Sequence, residues 1–315
     1  MRILVTGSAG FIGRSLCRKL LEENHFVFGL DVIETPIKHQ YFKSLIGDIT
    51  DSRYIDPDYG ASDWWSEIDF VFHLAAMANV DEIRTQREKA FKVNLLGTFN
   101  IVEACRKNDI PMAIASTACV YGHTKQHPST EDGETLPVDW YGVTKRAGEE
   151  IVKGLLKRWL ILRFGTTYGP EMRPALCTYI FLDQAIKKQK FTIRGSGEQT
   201  RNWIYIDDLI DGCIKAMDWR MSSASGQNGI FNLTGTESFS VRDLATICSI
   251  MVNGGLLFEE NIEYSPERPD DVFIENISNE KARKLLIWNP KTELYEGMKK
   301  IYEEWMKDAE RKKIV

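Results

Sequence analysis

Residues 3–13 read Ile-Leu-Val-Thr-Gly-Ser-Ala-Gly-Phe-Ile-Gly, and this run constrains the chain more than any other. The apolar stretch Ile3, Leu4 and Val5 predicts a short buried strand. A turn follows with glycines at 7, 10 and 13, and a helix then carries apolar residues at Phe11, Ile12, Leu16, Leu20 and Leu21. Gly7 permits a tight turn, Gly10 lets backbone approach a pyrophosphate, and Gly13 lets the helix pack close to the strand. The helix N-terminus, with Phe11 and Ile12 in its first turn, offers unpaired N–H groups and the positive end of its dipole to phosphate. Glycine spacing alone is a weak signal. Its place between a strand and a helix gives it weight.

Phe26-Val27-Phe28-Gly29-Leu30-Asp31 reads as the second strand and ends in a carboxylate 18 residues beyond Gly13, close to the roughly 20 of the dinucleotide fingerprint. Asp31 there accepts hydrogen bonds from adenosine ribose hydroxyls. It repels a 2′-phosphate, since like charges at ~4 Å cost on the order of 4 kcal/mol at an effective dielectric near 20. NAD is therefore expected over NADP. Asp48-Ile49 follows the third predicted strand, where a carboxylate meets the adenine amino group. His73-Leu74-Ala75-Ala76 closes the fourth, and Leu74, Ala75 and Ala76 leave room for the cofactor. His73 itself reads as a hydrogen-bonded packing residue.

Strand-like runs at 3–5, 26–30, 42–46, 69–73, 112–116 and 159–163 alternate with helical segments. That alternation predicts an α/β chain with a doubly wound parallel sheet covered on both faces. Beyond about residue 165 prolines and glycines punctuate loops, with helical patterns near 175–188 and 240–251. Leu294, Met298, Ile301, Tyr302 and Trp305 repeat at helical spacing. We expect a dinucleotide-binding domain over 1–165, to which the chain returns around 203–235 through Ile204–Leu209. Residues 166–315 are expected mainly to form a smaller substrate-binding domain. With 315 residues and 43% hydrophobic content, the chain can bury one large core and a smaller one.

Net charge is −5 without a basic stripe, so nucleic acid is not an expected partner. Arg311-Lys312-Lys313 reads as a solvated tail. No run of 18 apolar residues argues for a membrane span, and Met1-Arg2 leads directly into a strand without room for a signal peptide. The six scattered cysteines read as reduced thiols. A cytoplasmic chain with no metal site is the expectation.

Tyr141-Gly142-Val143-Thr144-Lys145 places a phenol and an ammonium four residues apart, on one face of a helix. Upstream, Ala113–Gly122 runs off the fifth strand and delivers the hydroxyls of Ser116 and Thr117 to its C-terminal end, where an open α/β sheet binds ligand. Oxidising a sugar alcohol by hydride transfer needs a base for the hydroxyl proton. For Tyr141 the pKa must fall about 3 units, roughly 4 kcal/mol of preference for phenolate. Lys145 and an oxidised nicotinamide ring are the charges able to favour it. Thr117 would hydrogen-bond the reacting oxygen, and Lys145 would also hold the nicotinamide ribose. Asn94 reads either as a residue bonding within the cofactor site or as a structural one.

With these residues in hand, the chain resembles an extended short-chain dehydrogenase/reductase of the NAD-dependent epimerase/dehydratase family, whose members act on nucleotide sugars. The resemblance covers nearly all of the chain. It rests on Thr6–Gly13, His73–Ala76, Ser116–Gly122, the Tyr141/Lys145 pair, Leu162–Pro170, Gly195–Asn202 and Arg268-Pro269-Asp270-Asp271-Val272. It implies a Rossmann-type sheet with a smaller C-terminal α/β substrate domain. It also implies that Arg201 and Arg268 clamp the substrate diphosphate, a task suited to the bidentate guanidinium. Thr166 stands where many relatives carry an asparagine that helps bind the nucleotide-sugar. The stretch from Lys145 to Arg163 is shorter than usual.

Relatives are often dimers joined through two helices per subunit. The helices near 85–107 and 141–157 suit this, although packing on the chain's own sheet explains the same pattern. Dehydratases of the family place an acid just after the catalytic threonine, whereas Ala118 and Cys119 stand here. The expected activity is a C4 epimerase, on a UDP-sugar, working through a transient keto-sugar. A keto-sugar reductase or dehydrogenase ranks second and a 4,6-dehydratase third. A non-catalytic dinucleotide sensor is expected to have lost Tyr141 or Lys145.

Overall fold

The apolar runs of the first half become β1 (Arg2–Thr6), β2 (Phe26–Asp31), β3 (Phe42–Ile46), β4 (Phe70–His73), β5 (Met112–Thr117) and β6 (Trp159–Phe164), each within a residue of its predicted ends. Shorter strands follow: β7 (Thr166–Tyr168), β8 (Phe191–Arg194), β9 (Thr200–Arg201) and β10 (Trp203–Tyr205). Then come β11 (Gly229–Leu233), β12 (Phe239–Ser240) and β13 (Ile262–Ser265). The structure, a computed structural model, describes residues 1–55, 63–222, 226–268, 270, 272 and 275–314. Pro269 and Asp271 of the segment quoted above lie outside the described residues, as do the side chains of the Arg311-Lys312-Lys313 tail.

Seven strands form one parallel sheet in the order β11-β6-β5-β4-β1-β2-β3. Strand order reverses between β1 and β4, so the loops leaving these two strands diverge and open a crevice at their C-terminal ends. Alternation along β1 shows why both faces must be covered. Ile3 and Val5 join a core with Leu16, Leu20 and the helix Ile206–Met221, while Leu4 joins another with Phe28, Ile101, Val102 and Trp65. The strand that begins the Ile204–Leu209 segment, β10, lies outside this sheet. It pairs with β7 in a separate two-stranded sheet, and it is the following helix and β11 that return to the main one.

The remaining predicted helices form where expected. Cys177–Ile186 packs on Val241–Asn253, and Ser240 starts the latter through a reciprocal capping box with Asp243. Along Leu294–Ile314, residues Leu294, Met298 and Ile301 are buried, with Tyr302 and Trp305 packed beside them. Only residues 156–158 connect the helix Trp140–Leu155 to β6, the short link noted in the sequence. Among the described residues no helix is long and apolar enough to cross a membrane, and no group of three His, Cys, Asp or Glu is placed to hold a metal ion.

Candidate active site

The crevice at the switch in strand order is a cavity of about 320 Å³. One end is lined by Gly7, Gly10, Phe11, Ile12 and Gly13, and the other by Thr117, Tyr141, Lys145 and Thr166. Leu74 and Ala76 line it from the loop after β4, with Ala75 directly against Gly7. Gly7 has φ +73°, and a Cβ there would sit 2.8 Å from the Ala75 nitrogen. A Cβ on Gly13 would collide with the Gly7 carbonyl oxygen. The opening helix is thus seated against the loop as closely as backbone allows, with its N-terminus aimed into the cavity.

Asp31 secures this loop. Its carboxylate accepts from the Ala9 N–H at 3.0 Å and from the Val32 N–H at 2.7 Å, and it remains partly exposed at the end of β2. Asp48 and Ile49 stand off the cavity wall. Asp48 is exposed and accepts from the N–H and hydroxyl of Thr50, while Ile49 is buried against Gly97. His73 is fully buried between the hydroxyls of Thr6 (2.8 Å) and Thr98 (3.0 Å), and burial pushes its pKa down to about 3. It is a neutral packing residue.

Asn94 lies in a single wide helical turn, Lys92–Gly97, where the backbone opens to i→i+5 bonding. The side chain is buried. Its oxygen accepts from the Met77 N–H, and its amide donates to the Met77 carbonyl and to the Thr144 hydroxyl. All of these bonds are internal. They tie the cavity-lining segment after β4 to the helix that carries Tyr141.

Tyr141 and Lys145 project from the helix Trp140–Leu155, which Asp139 caps by accepting from the Gly142 N–H. Thr117, the last residue of β5, accepts from the Cys119 N–H and hydrogen-bonds the Tyr141 phenol. Lys145 is only 5% exposed, and burial pulls its pKa down to about 8 against the attraction of Glu149. Burial likewise holds the Tyr141 phenol above its usual range. Cys119 and Asp139 add to that, while Arg173 and the Thr117 hydrogen bond oppose it. The protein alone therefore favours the protonated phenol.

The two arginines of the expected diphosphate clamp do not line this cavity. Arg201 donates to the carbonyls of Thr200 and Val272, both at 2.7 Å. Arg268 lies 2.8 Å from Asp81, which also pairs with Arg194. Arg173 and Glu275 do line the cavity and were missed. Arg173 falls in the Gly169–Pro174 loop and Glu275 just beyond the quoted Arg268–Val272 segment. Proximity in sequence to those segments was the available signal.

The sequence profile of the NAD dependent epimerase/dehydratase family matches residues 3–233. A putative UDP-glucose 4-epimerase of Methanocaldococcus jannaschii is 31% identical over 98% of this chain and 99% of its own. UDP-glucuronic acid decarboxylase 1 of Xenopus tropicalis is 29% identical, with 98% of this chain and 73% of that protein covered. The structure of UDP-glucuronic acid 4-epimerase from Bacillus cereus, in complex with UDP-glucuronic acid and NAD, superposes with a TM-score of 0.84. It is 28% identical and covers 96% of this chain and 98% of that one. A glycine loop and a Thr/Tyr/Lys group share this one cavity, with the Asp31 carboxylate bonded to the Ala9 N–H of that loop, and this donor set suits such a cofactor; the chain belongs to the NAD-dependent epimerase/dehydratase family.

Proposed function

We propose that this chain is a nucleotide-sugar C4 epimerase acting on a UDP-sugar, and that it keeps its NAD through turnover. The observation that carries the reading is one cavity lined by Thr117, Tyr141, the buried Lys145 and the glycine loop together. In this reading residues 1–165, joined by 203–235, hold the NAD and the remainder mainly holds the nucleotide-sugar. The glycine loop and Phe11-Ile12 would receive the pyrophosphate, Asp31 the adenosine ribose, and Lys145 the nicotinamide ribose. NAD, when bound, supplies a reversible hydride acceptor and a positive ring charge.

The protein's share of the chemistry is proton handling and placement. Thr117 holds the C4 oxygen against Tyr141, which takes the hydroxyl proton and later returns it. Burial disfavours the phenolate, and Lys145 with the positive ring that bound NAD would supply are the charges able to favour it. Tying base strength to a loaded site also keeps the base protonated when no cofactor is bound. Ala76 and Ala78, small residues on the cavity lining, would leave a bound sugar room to turn. Cys119, whose thiol burial pushes up to about 12, offers no carboxylate where a dehydratase needs an acid. Displacement of Asp81 from Arg268 would free that side chain for the diphosphate.

Incubating the protein with UDP-hexoses and UDP-hexuronic acids and following the sugar by NMR tests the reading. The expected product is the C4 epimer alone. Net NADH, a lasting keto-sugar, or carbon dioxide with a UDP-pentose would contradict it. Turnover is expected to fall as pH rises through about 8, because Lys145 is charged below that value and neutral above it; a pH profile of kcat/KM checks this. Asp31→Asn keeps an acceptor for Ala9 while removing the negative charge. It is expected to narrow the preference for NAD over NADP by on the order of 100-fold, read from binding titrations with both cofactors.

The same reading makes the protein a cytoplasmic homodimer. Phe91, Leu96 and Phe99, with Trp140 and Val143 on the neighbouring helix, are exposed apolar side chains on the two helical segments suited to a subunit contact.

A further inference from the structure

One buried acid has no part in the chemistry above. Glu149 lies one helical turn beyond Lys145 and two beyond Tyr141, on the same inner face of Trp140–Leu155, and is wholly buried. One carboxylate oxygen accepts from the Ser116 hydroxyl at 2.6 Å and from Arg163 Nε at 2.9 Å. The other accepts from a terminal nitrogen of Arg163 at 2.8 Å. Ser116 directly precedes Thr117 on β5, and Arg163 is its register partner on β6. A single carboxylate thus fastens the helix bearing Tyr141 and Lys145 to two strands, at the level of the threonine they work with.

The bonding continues outward. Arg163 donates to the Tyr121 oxygen at 3.0 Å, and Tyr121 donates to Asn232 on β11 at 2.7 Å. Asn232 donates to the Ser278 carbonyl at 2.9 Å and, through its backbone, to the Glu131 carboxylate at 2.8 Å. The network ends three residues from Glu275 on the cavity wall. Stability does not account for such an arrangement, because replacing a buried ion pair with apolar residues is often neutral or stabilising.

We propose that Glu149 is a positioning residue of this active site, which holds Tyr141 and Lys145 in register with Thr117. This rests on the catalytic reading of those three residues. The groups facing Lys145 and its partner are few. Tyr141 and Glu149 share its helix, His73 faces it from β4, and Arg163 stands behind Glu149 on β6. His73 is neutral at working pH, Arg163 is a permanent cation, and Glu149 is the anion that draws the Lys145 pKa upward. Farther along, Glu131 is held above the usual carboxylate range by burial, with Lys281 and Arg163 opposing that shift. Cys119, Asp139 and Arg173 act on Tyr141.

The test follows Lys145 directly, by NMR of protein labelled with [13Cε]lysine, its signal assigned from Lys145→Met. In Glu149→Gln the Lys145 titration midpoint is expected to fall by about one pH unit. The alkaline limb of the rate profile should move with it. Turnover at neutral pH should drop about tenfold or more with substrate KM little changed. Glu149→Gln leaves Arg163 buried without its carboxylate and risks unfolding. The double variant Glu149→Gln, Arg163→Met removes both charges, is expected to fold, and should still show a lowered midpoint and reduced turnover. An unchanged Lys145 midpoint and rate profile in the double variant, with only melting temperature altered, would overturn the proposal. The titration needs no sugar. A shifted midpoint in a protein that epimerises nothing would therefore sink the epimerase reading, not this one.

Discussion

Tyr141→Phe is expected to lower kcat by about 10²- to 10⁴-fold, the usual worth of a positioned acid/base group, while bound NAD and the melting temperature stay near those of the parent protein. The substitution removes one oxygen. The ring keeps its place on the helix, and Thr117 keeps its bond to the Cys119 N–H. Tyr141 is half-buried on the cavity wall, so losing its hydroxyl costs at most the worth of one hydrogen bond, about 1 kcal/mol net. Catalysis and stability should therefore separate cleanly. Steady-state rates alongside cofactor absorbance and thermal denaturation check this, and a variant with most of its turnover left would remove the phenol from the mechanism. A sensor that only binds dinucleotide would be indifferent to the change.

Gly13→Ala should act through a different route. The new methyl group would meet the Gly7 carbonyl, a backbone atom that cannot swing aside. Either the opening helix or the loop must shift, at a cost of roughly 1–3 kcal/mol or more for overpacking. The shift moves the helix N-terminus away from where the pyrophosphate would sit. NAD should be lost on purification, and turnover should fall about 10²-fold or more, as misplacement by an ångström can cost. Gly154→Ala supplies the control. Gly154 is exposed in the Trp140–Leu155 helix with nothing within 4 Å of an added Cβ, so that change should be neutral or stabilise by about 0.5–1 kcal/mol. Equal effects from the two substitutions would contradict a packing role for Gly13.

The sequence made the parallel sheet legible because its signals are local. Short β-branched and aromatic runs, each closed by a turn, mark β1 to β6, and a strand buried on both faces has little choice of partner. β11 was harder to read. Gly229-Ile230-Phe231-Asn232-Leu233 carries a comparable run, but its neighbour β6 lies some 65 residues earlier in the chain, and no local pattern reports that pairing. Ile204–Leu209 shows the same limit: the strand runs into a helix, Trp203–Tyr205 into Ile206–Met221, but its pairing with β7 is not written in any local pattern. Ser8 tells a similar story, since its hydroxyl is fully buried against Thr35 at 2.6 Å, a contact that spacing does not announce.

The site divides along the same line. Gly7, Gly13, Thr117, Tyr141 and Lys145 meet in one cavity because each sits at a strand end or helix start that the fold brings to a common edge. His73 read as a hydrogen-bonded packing residue and is one, whereas for Asn94, left open between a cofactor and a structural role, only the tertiary structure shows the hydrogen bonds turned inward. Arg268 shows a further limit of sequence reading. The resemblance implied a diphosphate-clamping role for it, and the sequence did not announce that Asp81, from a different part of the chain, pairs with it. Charge pairing across 187 residues leaves no trace in spacing.

The account depends above all on hydride leaving a sugar carbon and returning to that same carbon. A UDP-hexose carrying deuterium at C4, turned over and read by NMR, tests this most directly. The account predicts that deuterium stays at C4 in both epimers, and that unlabelled substrate run in D₂O gains none there. Exchange of the C4 hydrogen with solvent, or loss of the label without epimer formed, would contradict it.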